Sequence, residues 1–308
     1  MTSNNFLISI VGPTGIGKTA LSIKLAKYFN SSIVSFDSRQ FYKEMTIGTA
    51  VPNTEELKAV QHHFIQNRSI FENYNVGSFE NDALEKLEAL FIKNSIQIMV
   101  GGSGLYLDAI LKGLDYFPKV SGDIRTKLNT ELEKKGIQSL QNQLKKLDIQ
   151  SYNTINIENP QRVIRALEIC IGTGKPYASF KNKPKSVRKF HSIKIGLDAD
   201  RETIYNRINM RVEVMIKNGL LEEAQQLYQY KNLNALQTVG YRELFSYMDG
   251  NCSKEFAIGE IKKNTRRFAK RQGTWFKKDP NTLWFDYQTD MNTIIGQISD
   301  KINRIKHE

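Results

Sequence analysis

A phosphate-binding motif stands close to the start of the chain. The eight residues Gly12-Pro13-Thr14-Gly15-Ile16-Gly17-Lys18-Thr19 match the pattern G-x-x-x-x-G-K-[ST]. Glycines let backbone N–H groups turn toward phosphate oxygens, and a helix that begins there adds the positive end of its dipole. In such a loop Lys18 reaches the distal phosphate oxygens and Thr19 offers its hydroxyl to Mg²⁺. The motif predicts a phosphate site but does not identify the phosphorylated molecule.

A second candidate is Asp37, in the segment Ser35-Phe36-Asp37-Ser38-Arg39-Gln40 at the end of an apolar run. Parallel α/β sheets contact their ligands with side chains at the carboxyl ends of the strands. Asp37 is therefore a candidate to hold Mg²⁺, as in nucleotide hydrolases, or to act as a general base toward an attacking group. A solvated loop aspartate is the alternative.

A third apolar run leads into Gly101-Gly102-Ser103-Gly104. A nucleotide hydrolase more usually ends such a strand in an acidic residue for its metal, so the glycines weaken an ATPase interpretation. Glycines also allow close backbone approach to a substrate, and Ser103 can hydrogen-bond within the site. A structural tight turn would give the same sequence.

Basic and amide side chains share one helix face in the segment 159–168. Gln161 and Arg165 are four residues apart, with Arg162 beside them, while Val163 and Ile164 can pack inward. Arginine planes can stack on unpaired bases and glutamine can read base edges, so this face suits a nucleic-acid loop. A solvated helix face is the rival interpretation.

Further cations occur in the last third of the chain. Arg207 and Arg211 are one helical turn apart and can clamp an anionic leaving group, or both can be surface arginines. Thr238–Arg242 combines a turn with an aromatic ring and a cation. The segment Thr265–Lys278 interleaves cations and rings, a composition typical of surfaces that hold phosphates and stack bases.

Histidine and cysteine give no metal-site signal. His62-His63 has no partner at metal spacing, which favours hydrogen-bonding or structural histidines. The two cysteines, Cys170 and Cys252, both fall in helix-like sequence and are predicted to be small core residues.

The elements that must position these residues alternate between strands and helices. Strands are predicted at Phe6–Val11, Ile33–Asp37, Ile96–Val100 and Ile193–Asp198, separated by long helix-like segments. This pattern predicts an α/β fold with a parallel sheet. Further helices are predicted after the phosphate loop and at Ile124–Lys135, Ile137–Leu147, Pro160–Ile171, Arg201–Lys217, Leu220–Tyr230 and Lys254–Phe276.

The alternation is interrupted from about residue 120 to residue 190. This stretch is helix-rich and ends in the basic run 181–189. We interpret 120–190 as a helical insertion, and 1–119 with 191–308 as the core that carries the phosphate loop.

Composition limits the class of protein. The chain has 44 Lys+Arg against 32 Asp+Glu, a formal net charge of +12, which favours a polyanionic partner over a generically basic protein. No long apolar run and no basic-then-apolar leader are present, so we expect a cytoplasmic protein without membrane association. We also expect the protein to act as a monomer.

Taken together, the motifs resemble one family, the tRNA dimethylallyltransferases. The resemblance covers nearly the whole length, and the matching blocks occur in the family's order. The blocks are GPTGIGKT at 12–19, DSRQ at 37–40, IGTA at 47–50, GGSGLYLDA at 101–109, NPQRVIRALE at 159–168, GLLEEA at 219–224, TVGYRE at 238–243 and AKRQGTWF at 269–276. Two departures are visible: Ser103 stands where the family commonly has threonine, and Gln66 replaces an acid.

The resemblance implies a P-loop NTPase-like fold and transfer of a dimethylallyl group from dimethylallyl diphosphate to N6 of adenosine-37, in tRNAs with adenosine at position 36. It implies that the loop 12–19 binds the diphosphate leaving group with Mg²⁺ at Thr19, and that Asp37 accepts the proton of the amine. Catalytic roles then fall to Asp37, Lys18, Thr19, Ser103 and Arg211. Contact with the tRNA anticodon stem-loop is implied for Asp37, Ser38, Arg39, Gln40, Ser103, Arg125, Gln161, Arg162, Val163, Ile164, Arg165, Thr238, Gly240, Tyr241 and Arg242.

Two other enzyme classes share parts of this pattern. A small-molecule kinase would share the loop and the sheet but leaves the positive charge and the basic insertion unexplained. A prenyltransferase acting on free adenine nucleotides would have little use for a basic insertion. An RNA-binding protein with a degenerate loop is disfavoured because Lys18 and Thr19 are both present.

Overall fold

The structure is a computed structural model that describes residues 4–181 and 187–307. Residues 182–186 of the basic run 181–189 lie outside the described residues. Among the described residues, no helix is both long enough and apolar enough to cross a membrane.

Six parallel strands form one sheet in the described chain, in the order β3-β2-β4-β1-β5-β6. All six residues of the central strand β1 are buried, as expected for a strand covered on both faces by helices. The strands are β1 Phe6–Val11, β2 Ile33–Ser35, β3 His62–His63, β4 Ile96–Val100, β5 His191–Asp198 and β6 Leu283–Asp286.

The strand register brings the three predicted loops to one edge. Ile10 of β1 pairs with Val100 of β4, and Val100 pairs with Ser35 of β2. Because these parallel strands end level with one another, the phosphate loop, the Gly101–Gly104 loop and Asp37 emerge side by side. This is the carboxyl edge at which open α/β sheets bind ligands.

Thirteen α-helices lie in the described chain, together with three short 3₁₀ turns. They are α1 Lys18–Tyr28, α2 Thr54–Ala59, α3 Val76–Lys93, α4 Gly104–Lys112, α5 Gly122–Lys135, α6 Ile137–Leu147, α7 Ile149–Thr154, α8 Pro160–Thr173, α9 Arg201–Lys217, α10 Leu220–Leu227, α11 Tyr241–Met248, α12 Lys254–Phe276 and α13 Met291–His307.

The α/β class and the four expected strands are confirmed, and two short edge strands were not anticipated. β3 consists of two histidines and β6 of four residues, so neither carries a recognisable apolar run. Cys252 lies in the connection between α11 and α12 and not in a helix as expected, although it packs against a buried apolar cluster. Cys170 is buried in α8 as predicted.

The chain divides into two compact units, one built from the segments up to Lys112 and from Arg188 onward, and one comprising Gly113–Val187. The second unit therefore begins a few residues before the expected 120. The reason is that Phe117 stacks on Tyr177, with ring centroids 4.7 Å apart, so the segment ahead of α5 packs within this unit. Its small core is formed by side chains of α5, α6 and α8.

Candidate active site

The phosphate loop joins the end of β1 to the start of α1. A Cβ atom on Gly12 would lie 2.4 Å from the Leu197 carbonyl oxygen, so only glycine fits there. Gly17 is the N-cap of α1, has φ of 111°, and leaves the first helical amides without a side-chain cap. Uncapped amides at a helix N-terminus favour an anion, as the sequence motif predicts.

Lys18 lies across its own loop. Its Nζ donates hydrogen bonds to the carbonyl oxygens of Gly12 (3.0 Å) and Pro13 (2.9 Å). Burial lowers the pKa of Lys18 to about 8, partly opposed by the carboxylate of Asp37 and reinforced by the guanidinium of Arg211. A bound diphosphate would favour the charged form of this amine.

A groove of about 430 Å³ lies beside the phosphate loop and is lined by two of the three arginines of α9, Arg207 and Arg211. The Arg207 Nε donates to the carbonyl oxygen of Gly15 (2.8 Å), and its guanidinium lies 5.2 Å from the ring centroid of Tyr287. Burial lowers the pKa of Arg211, and the nearby Asp37 and Glu56 oppose that shift. The groove is lined by Gly15, Gly17, Lys18, Thr19, Ala20, Glu56, Arg207, Met210 and Arg211.

Asp37 faces a second cavity, of about 550 Å³, which Lys18, Thr19 and Arg211 also line. Its carboxylate is held locally, since Oδ1 accepts the backbone N–H of Arg39 at 3.1 Å. Its own N–H donates to the Ser35 Oγ at 3.2 Å. One cavity therefore joins the cations of the phosphate loop to a fixed carboxylate.

Ser103 links two of the loops at this edge. Its Oγ accepts the backbone N–H of Ser38 (3.1 Å) and shares a hydrogen bond with the Ser38 Oγ (3.0 Å). Both serines line the same cavity as Asp37. Ser103 thus hydrogen-bonds directly to the residue that follows Asp37, while its role toward a substrate stays a prediction.

Gln272 of α12 connects the phosphate loop to the loop after β4. Its Oε1 accepts the N–H (2.9 Å) and the hydroxyl (3.1 Å) of Thr14, while its Nε2 donates to the Gly102 carbonyl oxygen (2.9 Å). The side chain is buried, and a Cβ on Gly102 would lie 2.3 Å from its Nε2. Gln272 thus fixes the spacing between the two loops that border the cavity.

The side chains of Arg39 and Gln40 donate hydrogen bonds to the backbone of neighbouring loops. The Arg39 Nη1 donates to the carbonyl oxygens of Asn234 (3.3 Å) and Ala235 (3.0 Å). The Gln40 Nε2 donates to the carbonyl oxygen of Ala50 at 2.8 Å. Both residues also line the cavity, so they organise its wall in addition to any contact with a substrate.

The predicted Thr238–Arg242 turn immediately precedes and opens α11. Thr238, Gly240 and Arg242 line the cavity, but Tyr241 is fully buried. The Tyr241 hydroxyl donates to the Glu223 Oε1 at 2.6 Å, and Glu223 also accepts backbone N–H groups of residues 46–48. The Tyr241 side chain packs behind the cavity wall and orients it, and contact of this residue with tRNA stays a prediction.

In the helical unit, three predicted residues meet around one carboxylate. Arg125 and Arg165 each lie 3.4 Å from the nearly buried Glu168, and the Arg125 Nη2 donates to the Gln161 Oε1 at 3.0 Å. The two arginines remain 44% and 42% exposed. Arg125, Gln161 and Arg165 therefore form one polar surface, which we call the Glu168 cluster.

Two residues of the same motif do not reach that surface. Val163 and Ile164 are fully buried in the core of the helical unit. Their side chains have a packing role, because apolar side chains at this helical spacing face the core, and their contact with tRNA stays a prediction. Arg162 is exposed.

Comparisons with known proteins assign the chain to a family. A family model described as IPP transferase matches residues 40–279. A tRNA dimethylallyltransferase of Flavobacterium johnsoniae is 61% identical, with 96% of this chain and 98% of that protein covered. This chain belongs to the tRNA dimethylallyltransferase family. A second relative of that name, from Flavobacterium psychrophilum, is 59% identical, with coverage of 97% and 99%.

Solved structures of dimethylallyltransferases share the fold. A full-length tRNA isopentenylpyrophosphate transferase from Bacillus halodurans superimposes with a TM-score of 0.72 at 35% identity, covering 99% of this chain and all of that one. A eukaryotic dimethylallyltransferase described as acting on tRNA gives a TM-score of 0.82 at 27% identity, covering 99% of this chain and 80% of that one.

Sequence reasoning overlooked three side chains of this transferase chain that organise its surfaces: Gln272, Glu223 and Glu168. Each stands inside a block that carries the family resemblance, at 269–276, 219–224 and 159–168. Gln272 and Glu223 have partners that are distant in the sequence, and Glu168 combines a distant partner, Arg125, with a local one, Arg165. The family blocks were the available signal, but nothing in the local pattern selects these positions within them.

Proposed function

We propose that this chain transfers a dimethylallyl group from dimethylallyl diphosphate to N6 of adenosine-37 in tRNAs that carry adenosine at position 36. The observation that carries the proposal is the single cavity in which Lys18, Arg211 and Asp37 meet, in a member of the tRNA dimethylallyltransferase family. The two cations suit a departing diphosphate, and the carboxylate suits an attacking amine.

The leaving group is the first part of the mechanism. As the bond between the allylic carbon and the diphosphate oxygen lengthens, negative charge grows on that oxygen. The ammonium of Lys18, the guanidinium of Arg211 and the uncapped amides at the start of α1 are prepositioned for this charge. Donors fixed in advance in a partly buried site stabilise developing charge without reorganisation.

Asp37 serves the attacking nucleophile. The exocyclic amine of adenosine is a very weak base, so its proton leaves during or after formation of the C–N bond. The carboxylate of Asp37 orients this amine and accepts that proton. Its hydrogen bond from Arg39 keeps the carboxylate in place, and the Ser38–Ser103 pair fixes the adjoining wall.

The donor set beside the loop fits Mg²⁺. Thr19 offers a hydroxyl, and the carboxylate of Glu56 lines the groove that Thr19 also lines. Hard oxygen ligands combined with substrate phosphates are what Mg²⁺ prefers, although no group of three or more His, Cys, Asp or Glu among the described residues could hold an ion unaided. Bound there through Thr19, the ion would neutralise charge on the diphosphate.

The nucleic-acid partner must present an unstacked base. A base in the anticodon loop cannot reach Asp37 while stacked, so adenosine-37 is flipped into the cavity. The exposed cations of the Glu168 cluster and Arg162 suit the phosphates of the anticodon arm. We assign the helical insertion to tRNA binding, and the chain to the cytoplasm as a monomer.

Mass spectrometry of tRNA tests this activity. Incubation of the full chain with dimethylallyl diphosphate, Mg²⁺ and a tRNA bearing adenosine-36 and adenosine-37 should add C5H8 to the tRNA. A matched tRNA with guanosine at position 37 should show no increase in mass. The original tRNA should also show none when it is incubated for the same time with the Asp37→Asn variant. A C5H8 increase on free AMP and not on tRNA would indicate a prenyltransferase of adenine nucleotides. Phosphoryl transfer from ATP to a small molecule would indicate a kinase.

A further inference from the structure

The side chain of Glu223, on α10, holds a loop that is distant in the sequence. Its Oε2 accepts the backbone N–H groups of Thr46 (3.0 Å) and Ile47 (2.8 Å), and its Oε1 accepts that of Gly48 (2.9 Å). The Tyr241 hydroxyl is a fourth donor, 2.6 Å from the same Oε1. An ionised carboxylate presents two oxygens that only accept, so it satisfies all four donors, which an amide of the same size cannot do.

The loop that Glu223 holds comprises residues 46–50, and its last three residues line the cavity that Asp37 faces. A Cβ on Gly48 would lie 2.6 Å from the Tyr241 ring, so this ring packs directly on the loop backbone. Helix α10 thus binds the loop through the carboxylate of Glu223, and helix α11 binds it through the packing of Tyr241. The position of this part of the cavity wall therefore depends on two helices that are distant in the sequence.

A path of hydrogen bonds leads from this loop to Asp37. The Gln40 Nε2 donates to the carbonyl oxygens of Thr49 (3.3 Å) and Ala50 (2.8 Å), which can only accept. The amide oxygen of Gln40 therefore faces the other way, where the Ser35 Oγ donates to it at 3.5 Å. Because the hydroxyl proton of Ser35 is directed to Gln40, its oxygen is left to accept the N–H of Asp37, at 3.2 Å.

We propose that Glu223 is a positioning residue for Asp37 and acts through the loop 46–50 and the amide of Gln40. The proposal rests on the proposed function of tRNA prenylation, in which Asp37 orients the attacking amine. Without the carboxylate of Glu223, the loop carbonyls that orient Gln40 are free to move, and the Ser35 hydroxyl moves with them. A displacement of about 1 Å at a reacting group can lower a rate roughly 10²-fold.

The rate of transfer is the first readout. Glu223→Gln keeps the size of the side chain, and transfer at saturating substrates should fall roughly 10- to 100-fold. Affinity for tRNA should fall by less than the rate does, and affinity for dimethylallyl diphosphate should not change. Glu44→Gln is the matched control, because Glu44 also accepts hydrogen bonds from a loop, at Ser69 and Ile70, but none of these three residues lines the cavity. This control should transfer at the wild-type rate. A loss of tRNA affinity with an unchanged rate in Glu223→Gln would overturn the proposal.

A double-mutant cycle tests the path itself. Ser35→Ala removes the hydroxyl that joins Gln40 to Asp37, and it should slow transfer on its own. If Glu223 acts through that hydroxyl, Glu223→Gln should add little to the loss when Ser35 is already replaced. Independent sites give losses that multiply, so multiplied losses would overturn the proposal. Should Glu223→Gln fail to fold, Tyr241→Phe takes its place in the cycle, since it removes one of the four donors and keeps the ring.

Amide hydrogen exchange provides a further readout that needs no turnover. In Glu223→Gln the amides of residues 46–48 and of Asp37 should exchange faster than in the wild type, because their hydrogen bonds open more often. In Ser35→Ala the Asp37 amide should also exchange faster. An Asp37 amide that is unaffected by Glu223→Gln would overturn the proposal. If exchange shows this coupling but the wild type adds no C5H8 to tRNA, only the proposed activity is contradicted.

Discussion

The phosphate-loop region and the helical unit use charge in opposite ways. Around the loop, burial shifts the pKa of Lys18 and of Arg211, and backbone atoms hold Lys18 and Asp37 in place. In the helical unit, Arg125 and Arg165 stay more than two-fifths exposed, and their common partner is the side chain of Glu168.

Because of this difference, we expect the phosphate-loop region to control the rate of transfer and the helical unit to control the affinity for tRNA. Partly buried charges in fixed positions act strongly on charge that develops during a reaction. Exposed charges are screened by salt and contribute to binding in small increments. Substitutions in the first region should therefore lower the rate of transfer, and those in the second should lower tRNA affinity.

The largest expected effect is that of Asp37→Asn. This variant keeps the size of the side chain and part of its hydrogen bonding but removes the base, so transfer at saturating substrates should fall roughly 10²- to 10⁴-fold. Affinity for tRNA should survive. The measurements are single-turnover transfer and tRNA binding. A collapse of affinity with an unchanged rate would make Asp37 a binding residue only and would break the comparison.

Lys18→Ala should come next, at a cost of at least about 10²-fold in the chemical step. This is the scale for loss of one preorganised donor to a developing anion. Rapid mixing of preformed complex isolates this step from binding, and tRNA affinity serves as the internal control. Near-normal single-turnover transfer would refute a role for Lys18 in diphosphate departure.

In the helical unit, Arg162→Ala or Arg165→Ala should weaken tRNA binding by about 1–3 kcal/mol, the range for a charge-assisted contact. Affinity for dimethylallyl diphosphate should not change. A contact to phosphate should also lower the salt slope of binding by about one unit, whereas a contact to a base should instead relax discrimination against tRNAs without adenosine-36.

The measurement is tRNA affinity against salt concentration, with matched and mismatched stem-loops. If neither variant alters affinity, slope or discrimination, the helix face is merely solvated. The segment Thr265–Lys278 would then be the surface to examine for the main tRNA contact.

The smallest expected effect is a pH dependence of the affinity for dimethylallyl diphosphate. It tests the role of the buried charge of Lys18 in the phosphate-loop region. In the free protein the Lys18 amine loses its proton as the pH rises through about 8. Since the diphosphate binds the charged form, affinity for dimethylallyl diphosphate should fall roughly tenfold per pH unit above that value. Lys18→Arg keeps its charge, so its affinity should change much less between pH 7 and 9. If the wild type and Lys18→Arg showed the same dependence of affinity on pH, Lys18 would not be the group whose charge binds the diphosphate.

Much of the cavity could be predicted from the sequence because its key residues come directly after strand ends. The run Phe6–Val11 locates the phosphate loop, and Ile96–Val100 locates Gly101–Ser103. Parallel strands bring the loops at their carboxyl ends to a common edge, so the proximity of these loops is a consequence of the fold class. Arg211 was also identified, since its helical spacing from Arg207 gives both residues one face.

What the sequence by itself determined, then, is the α/β class, the phosphate loop and the residues offered at the strand ends, because these depend on local patterns of a few consecutive residues. Only the tertiary structure decided that Gln272 spaces the two loops, that Tyr241 is buried against Glu223, and that Phe268 and Trp275 line the cavity while partly exposed. The physical reason is that burial and hydrogen bonding depend on which distant segments meet. Thr14 and Gln272 are 258 residues apart in the chain, and no local pattern encodes that meeting.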